Sequence, residues 1–276
     1  MVRQPLAVAR QALFGAHTFG VDALGTAESV AELDAQSVRA WHNRAMLNGD
    51  SVLAIVGDDE PRVLAEIVAR EFSLLRPSSH ARVAAPPALT APIEVIDQRA
   101  KQQSAVAMLF RGPSRQDPAR YAAALMTGIA SGLGGRFFES LRSRQSLAYS
   151  VFVNTTTLRD AGMISAYIAC APERELEARA GLLAEFAAMR DAPVSIEELE
   201  RARSYAIGMH ALRQESAGSQ LSEMVDAWAS GTGLQELDHY VPMLRAVTAA
   251  EVQDVVRVWC DPARRVEAVV RGVGKS

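Results

Sequence analysis

The sequence predicts an α+β fold, a sheet flanked by helices, built as two homologous repeats of which the first is truncated. Three observations support this prediction. Apolar segments with strand alternation are interspersed with helical patterns along the chain. A proline-rich stretch at residues 77–92 is typical of a linker. Residues 33–41 also align without a gap on residues 247–255, at an offset of 214 (247 − 33).

The elements before the linker are mostly helical. A helix that opens with proline is predicted at residues 5–13, and a short capped turn at 26–33. Asp34 is a favoured N-cap for a longer helix that runs to Met46. A turn and an apolar strand at residues 51–56 follow, and then an amphipathic helix at residues 61–75.

The elements after the linker alternate between strands and helices. Strand patterns occur at residues 93–96, 104–110, 146–154, 162–170 and 266–270. Helical patterns occur at residues 117–131, 172–189, 216–229, 234–244 and 248–260. A further long helix begins after Ser195, where Ser195 and Glu198 have the spacing of a capping box. We therefore predict three parts: residues 1–76, the end of a first repeat; a linker at 77–92; and a complete second repeat at 93–276.

Composition excludes several classes of protein. The formal net charge is −3, so no basic field favours nucleic acid or an anionic membrane surface as a partner. No apolar run approaches the roughly 20 residues of a membrane helix. Cys170 and Cys260 are the only cysteines, and we expect buried free thiols, although a disulfide between them stays open. The chain as written indicates a cytoplasmic protein, and a periplasmic one if a signal peptide precedes Met1.

The repeat indicates that part of the first copy is missing. Both copies close with a capped helix, a turn and a strand, in that order. The second copy has several strands and helices ahead of this unit, but the first has few residues ahead of its own. A helix and a strand need the rest of their sheet to cover their apolar faces. We therefore expect the helix at 34–46 and the strand at 51–56 to have uncovered apolar surface.

One stretch of the second repeat contains side chains that could take part in binding or catalysis. Gly134 and Gly135 support a loop ahead of an amphipathic segment that ends near Arg142. Tyr149 opens the strand that follows, seven positions after Arg142. Arg142 offers a planar fork of donors and Tyr149 a phenolic hydroxyl, so both could point at one carbonyl oxygen. The alternative is that both are structural, a solvated helix-end cation and a half-buried strand residue.

Five segments together resemble the pitrilysin/insulinase-type metallopeptidases, a family of zinc peptidases and their homologues. The first two segments resemble the family's H-P-[YF]-G…G-T-x-E-S motif and the strand that closes its first domain: His17-Thr18-Phe19-Gly20 with Gly25-Thr26-Ala27-Glu28-Ser29-Val30, and Ala54-Ile55-Val56-Gly57-Asp58. The other three lie in the second repeat: Gly134-Gly135-Arg136-Phe137-Phe138 with Leu141-Arg142, Leu147-Ala148-Tyr149-Ser150-Val151, and Val247-Thr248-Ala249-Ala250-Glu251-Val252. The resemblance covers nearly the whole chain.

The resemblance implies a function and a division of labour. Family members close two similar domains around an extended peptide. The first domain binds Zn²⁺ through H-x-x-E-H and a distal glutamate. The second supplies an arginine and a tyrosine that bind substrate and stabilise the oxyanion, and these match Arg142 and Tyr149. None of the five histidines of this sequence has a partner at ligand spacing with an intervening glutamate, and the segment Gly132-Leu133-Gly134-Gly135-Arg136 departs from the family's usual serine-arginine. We therefore expect no catalytic residue, metal site or cofactor in this chain alone.

The expected function is that of the substrate-binding, non-zinc half of such a peptidase or homologue. Its expected partners are a peptide or unfolded polypeptide and a zinc-bearing half, supplied by a homologous subunit or by a missing N-terminal region. Two alternatives stay open: a non-catalytic scaffold or assembly subunit of the same fold, and a truncated reading frame of an active zinc endopeptidase. A phosphate site at Gly132–Gly135 is weakly indicated, because the P-loop lysine and the G-x-G-x-x-G spacing are absent.

Overall fold

The computed structural model describes residues 3–46, 51–73, 75 and 84–273, and it confirms the α+β class. The strands are β1 Ile93–Arg99, β2 Ser104–Gly112, β3 Ser150–Thr157, β4 Gly162–Cys170 and β5 Arg265–Gly272. The first five α-helices are α1 Arg3–Phe14, α2 Ala27–Ala31, α3 Ala35–Ala45, α4 Pro61–Glu71 and α5 Ala119–Ala130. The remaining helices are α6 Glu175–Asp191, α7 Ile196–Gln214, α8 Ala217–Ser230, α9 Glu236–Ala246 and α10 Ala249–Trp259. Among the described residues, no helix is long and apolar enough to cross a membrane.

The five strands form one mixed sheet in the order β1-β5-β2-β4-β3. β5 is an interior strand, parallel to β1 and antiparallel to β2. Its residues Val266 to Val270 are buried on both faces, as expected for a strand with layers of structure on either side. β2 pairs with β4, and β4 pairs with β3, in antiparallel register.

Helices cover both faces of this sheet. The larger core lies between one face and helices α5, α6, α7 and α10, and it contains the buried side chains of Met108, Phe110, Phe137 and Phe186. On the opposite face, α1 packs on β2 and β5 through Ala9, Leu13 and Phe14. α1 thus contacts the second repeat, although it precedes the predicted linker. The domain boundaries stay a prediction.

The helical part of the internal repeat is confirmed. α3 at Ala35–Ala45 and α10 at Ala249–Trp259 have the same length, and the offset between them is again 214 at both ends. Each begins with a capping box, formed by Asp34 with Ser37 and by Thr248 with Glu251. The same local signals therefore start the same helix in both copies.

The predicted strand at residues 51–56 is wrong for this chain, because the structure gives these residues no strand pairing. Its counterpart β5 is held by ladders to β1 and β2. A strand exists only through hydrogen bonds to neighbours, and the described residues ahead of β1 contribute none. The apolar pattern therefore identified a potential strand that lacks its sheet.

Other boundaries shift by a few residues. α4 ends at Glu71 rather than at residue 75, β3 begins at Ser150 rather than at 146, and α5 begins after Pro118. The linker prediction falls partly on residues 77–83, outside the described residues. Residues 84–92 form neither helix nor strand. Cys170 and Cys260 are both buried free thiols, as expected, and burial raises the pKa of Cys170 to about 11.

Candidate functional site

The site is built on a π-helix, Phe138–Arg144, which lies between α5 and β3. π-Helices are rare, and they occur frequently at functional sites. The chain reaches it through a tight turn in which Gly132 has a φ of +86°. A Cβ at Gly135 would lie 2.2 Å from the carbonyl oxygen of Ser131, whereas a Cβ at Gly134 would meet nothing within 4 Å. Of the two glycines predicted to support the loop, Gly135 is therefore the one that the backbone requires.

An ion pair fixes the start of the π-helix. Arg136 donates two hydrogen bonds to Glu198 at the first turn of α7, from Nε at 2.6 Å and from Nη2 at 2.7 Å. Glu198 also accepts the backbone N–H of Ser195 in the capping box. The Arg136 guanidinium is the main reason that the pKa of Glu198 falls to about 2. The pair therefore links the site to the helical layer.

The middle of the π-helix is held by packing. Leu141 is fully buried, and a Cβ added at Gly181 of α6 would lie 2.7 Å from its side chain. The two helices thus approach more closely than a residue larger than glycine would permit. Because Arg142 immediately follows Leu141, this contact fixes the direction in which the exposed arginine leaves the helix.

A loop of five residues, 145–149, connects the π-helix to β3. Ser146 has a φ of +50°, a conformation that non-glycine residues rarely adopt. The buried Leu147 donates its N–H to the carbonyl of Leu141 at 2.8 Å. Arg174 donates to the carbonyl of Ser146 at 3.0 Å, and is itself paired with Glu177. These contacts hold the uncommon backbone conformation in place.

The two predicted site residues lie side by side. Arg142 donates from Nη1 to the backbone carbonyl of Tyr149 at 2.5 Å, and its guanidinium lies 5.2 Å from the ring centroid of Phe138. Tyr149 precedes β3, is joined to β4 through its N–H to the carbonyl of Ala169 at 2.8 Å, and is 56% exposed. Arg142 is also exposed. The Arg142 guanidinium thus contacts the backbone of Tyr149, and the side chains of both residues are exposed.

These groups have a limited chemistry. A guanidinium has five N–H donors, and one of them is used to bind the Tyr149 carbonyl. The remaining donors and the phenolic hydroxyl are suited to carbonyl or carboxylate oxygens. The prediction of Arg142 and Tyr149 as substrate-binding residues stays a prediction; the structure shows that the Arg142 side chain contacts the Tyr149 backbone.

His17 is held by hydrogen bonds on both ring nitrogens. His17 accepts the N–H of Phe19 at Nδ1, so its proton is on Nε2, which lies 2.9 Å from the carbonyl oxygen of Ala84. His17 therefore ties the His-Thr-Phe-Gly loop to the described end of the linker. Within the described residues, no group of three His, Cys, Asp or Glu side chains could hold a metal ion. The zinc site of the family does not fit those residues.

A cavity of about 530 Å³ lies elsewhere, among α7, α8 and α9. Its charged side chains largely pair with one another. Arg115 lies 2.7 Å from Asp226, while His210 and Arg213 each lie 3.6 Å from Glu223. We assign it no ligand, because these charges are already compensated.

Sequence reasoning missed the residues that support the site. Glu198 was identified as a capping residue, but its ion pair with Arg136 crosses 62 positions of the chain. Arg174 and Gly181 belong to a different helical region from the loop and the π-helix that they contact. The Ser195 capping box located α7, but no local signal connects it to Arg136.

Comparisons with known proteins identify the family. Residues 32–205, more than half of the chain, match the profile described as the peptidase M16 inactive domain. An uncharacterized zinc protease of Mycobacterium tuberculosis is 28% identical over 274 residues, which cover 95% of this chain and 60% of the relative. One from Mycobacterium leprae is 26% identical over 251 residues, or 87% of this chain and 55% of the relative. The chain thus spans 55–60% of the length of these curated relatives.

Solved structures show the same fold. A peptidase M16 inactive domain from Pseudomonas fluorescens has a TM-score of 0.86 at 19% identity, and the match covers 99% of this chain and 66% of that one. A protease from Helicobacter pylori has a TM-score of 0.81 at 12% identity, covering 98% of this chain and 67% of that one. The chain belongs to the pitrilysin/insulinase-type peptidase family, M16, and contains its inactive, C-terminal domain.

Proposed function

We propose that this chain is the substrate-binding half of a two-part peptidase, in which it completes the chamber of a zinc-bearing homologous half. The observation that carries the proposal is the contact between the Arg142 guanidinium and the Tyr149 backbone carbonyl, with both side chains exposed. The family match supports it, because the matched domain is the inactive one. The names of the curated relatives, zinc proteases, support a proteolytic context.

In this proposal, Arg142 and Tyr149 donate hydrogen bonds to the carbonyl oxygen of an extended peptide. The same donors would bind the oxygen more strongly as it gains negative charge, which lowers the barrier to attack. Their supports, the Arg136–Glu198 pair and the Leu141–Gly181 contact, would keep the donors from moving as the charge develops. Activation of the attacking water belongs to the zinc-bearing half.

The experiment compares peptide hydrolysis by this chain alone and with a zinc-bearing M16 half added, on a mixed peptide substrate. The chain alone should contain no stoichiometric zinc and should have no activity. With the half present, Arg142→Ala should lower kcat about 100- to 1,000-fold, and Tyr149→Phe should lower it by a similar or smaller factor. The matched controls, Arg144→Ala on the same π-helix and Tyr205→Phe on α7, should leave kcat within about twofold, because Arg144 pairs with Glu139 and Tyr205 is exposed on a different helix.

A scaffold role is the alternative. It predicts that this chain associates with the zinc-bearing half while Arg142→Ala and Tyr149→Phe have no effect on peptide capture or turnover. Equal activity of these variants and the wild-type chain would exclude the substrate-binding role and favour the scaffold. Zinc-dependent activity of the chain alone, abolished by a chelator, would contradict both.

A further inference from the structure

We propose that a second, smaller cavity, of about 260 Å³, binds a phosphate group, either the free ion or the monoester of a small molecule. The cavity lies between α5, the end of β3 and α9. Its strand residues Thr155 and Thr157 follow Tyr149 by six and eight positions, which corresponds to about 20 Å or more along an extended chain. The site is therefore distinct from the Arg142–Tyr149 contact, and the inference does not depend on the proposed function.

The face of β3 that packs towards α5 changes from apolar to polar at this cavity. Val151, Val153, Thr155 and Thr157 alternate along the strand and so lie on one face. The two valines are buried in the larger core, whereas the two threonines line the cavity. Thr127 of α5 lines it as well, with its Oγ1 at 2.7 Å from Oγ1 of Thr155. Valine has the shape of threonine without its hydroxyl, so three hydroxyls in place of a continued apolar face indicate polar contents.

Two arginines line the same cavity with buried donors. Arg115 precedes α5, and Arg120 lies in the first turn of that helix. The Nε atoms of both are buried, and neither has a hydrogen-bond partner in the part of the chain that the structure describes. A buried donor without an acceptor costs free energy. A phosphate in the cavity would supply the acceptor, after a small rotation of each guanidinium that brings its Nε–H to the cavity wall.

The acidic partners of these arginines lie outside the cavity. Arg120 pairs with Glu236 at 2.5 Å, and Arg115 pairs with Asp226 at 2.7 Å. Both carboxylates line the neighbouring 530 Å³ cavity instead, and among the described residues no acidic side chain lines the smaller one. The smaller cavity therefore offers positive charge and hydrogen-bond donors to an anion, without a carboxylate to repel it.

Size and geometry favour phosphate among the small oxyanions. Pockets for drug-sized ligands have volumes of roughly 300–1,000 Å³, so a cavity of about 260 Å³ suits a group of few heavy atoms. Its donors come from three directions: the segment before α5, α5 itself and β3. A tetrahedral phosphate accepts hydrogen bonds from several directions, whereas a carboxylate accepts them close to one plane. The arginine fork also matches phosphate oxygens.

The test titrates the full chain with inorganic phosphate by calorimetry at neutral pH and constant ionic strength. We expect saturable binding at one site with a Kd of about 1 mM or tighter. Succinate, a dianion with planar carboxylates, should bind at least about 10-fold more weakly. Glycerol 3-phosphate separates the two sources of the phosphate group, because tighter binding than that of inorganic phosphate would identify the ligand as an ester.

Variants locate the binding. Arg115→Gln should weaken phosphate binding at least about 10-fold, because it removes a charged donor, and its partner Asp226 is 60% exposed. Thr157→Val should weaken binding about 2- to 10-fold, because it removes only the hydroxyl. The matched controls are Thr156→Val, on the opposite face of β3, and Arg70→Gln, an exposed arginine on α4. Both should keep the wild-type Kd. Thermal unfolding without phosphate checks that each variant is folded.

The outcomes decide the inference separately from the proposed function. The absence of saturable phosphate binding would overturn it, as would tighter binding of succinate. Equal effects of Thr157→Val and Thr156→Val, or of Arg115→Gln and Arg70→Gln, would overturn it as well. Arg142→Ala should leave the phosphate Kd unchanged even if it abolishes peptide hydrolysis, and loss of phosphate binding in this variant would place the ion elsewhere and contradict the assignment.

Discussion

At the scale of single residues, the backbone requires glycine at position 135 but not at position 134. We expect Gly135→Ala to lower the free energy of unfolding by about 2 kcal/mol or more, because the new Cβ would overlap the carbonyl oxygen of Ser131. Gly134→Ala should be neutral or stabilise by up to about 1 kcal/mol, because its Cβ would enter open space. Urea unfolding of both variants measures the difference. Equal effects would contradict the turn geometry.

The Arg136–Glu198 pair makes stability depend on pH. The pKa of Glu198 is lowered to about 2 from its usual 4.5, so its contribution is present above pH 4.5 and lost as the pH falls towards 2. We expect Glu198→Gln to lower the free energy of unfolding by about 1–3 kcal/mol at pH 7 and by much less near pH 2. Glutamine keeps a capping oxygen, so the substitution isolates the charge.

The control for this pair is Glu197→Gln, one position earlier on the same helix. Glu197 is exposed and also lies in the first turn of α7, but it has no arginine partner among the described residues. We expect the free energy of unfolding of Glu197→Gln to stay within about 0.5 kcal/mol of the wild-type value across the pH range. A pH-independent loss of stability in Glu198→Gln would show that the ion pair is not its cause.

Only the exposed residues of the candidate site could be predicted from the sequence. Arg142 and Tyr149 have a spacing and a strand context that the sequence displays. The contact between them, however, uses the Tyr149 carbonyl, which no side-chain pattern indicates. The supports, Glu198, Arg174 and Gly181, come from distant parts of the chain. Local patterns locate elements, but the pairing of elements is decided by tertiary packing.

At the scale of elements, α3 and α10 test how the surroundings of a helix determine the effect of the same substitution on the free energy of unfolding. We expect Val252→Asp to lower the free energy of unfolding by several kcal/mol, because it would bury a carboxylate in the core. Val38→Asp, the same change at the equivalent position, should cost less than about 0.5 kcal/mol in the chain alone, because Val38 is half exposed. Thermal or urea unfolding of the two variants gives the comparison. A large loss in Val38→Asp would mean that α3 is covered within the chain itself.

The elements differ in how far the sequence predicts them. The capped helices after Asp34, Ser195 and Thr248 begin where their capping boxes place them, because a cap is a local interaction. Residues 51–56 have a strand pattern as strong as that of β5, but a strand needs neighbours. The incorrect strand prediction therefore depends on what surrounds the segment rather than on its composition.

At the scale of the whole molecule, α1 joins the sheet although it lies before the linker. Phe14 is 1% exposed, its ring lies 4.2 Å from the guanidinium carbon of Arg111, and Arg111 in turn donates to the carbonyl of Pro87 at 2.6 Å. α1 therefore covers the face of β2 and β5 that the other helices leave open. The helices α3 and α4, from the same predicted part of the chain, have no fully buried residue.

This division predicts two levels of stability in the native chain. We expect the amides of α1 to exchange as slowly as those of β2, because they open only when the sheet loses its cover. The amides of α3 should exchange faster by several orders of magnitude, because this helix can unfold without exposing a core. Hydrogen exchange followed by mass spectrometry resolves both. Phe14→Ala, which should lower the free energy of unfolding by about 3–5 kcal/mol, should accelerate exchange in β2 and leave α3 unchanged. Equal exchange rates in α1 and α3 would mean that residues 1–76 behave as one separate unit, and that α1 contributes little to the sheet.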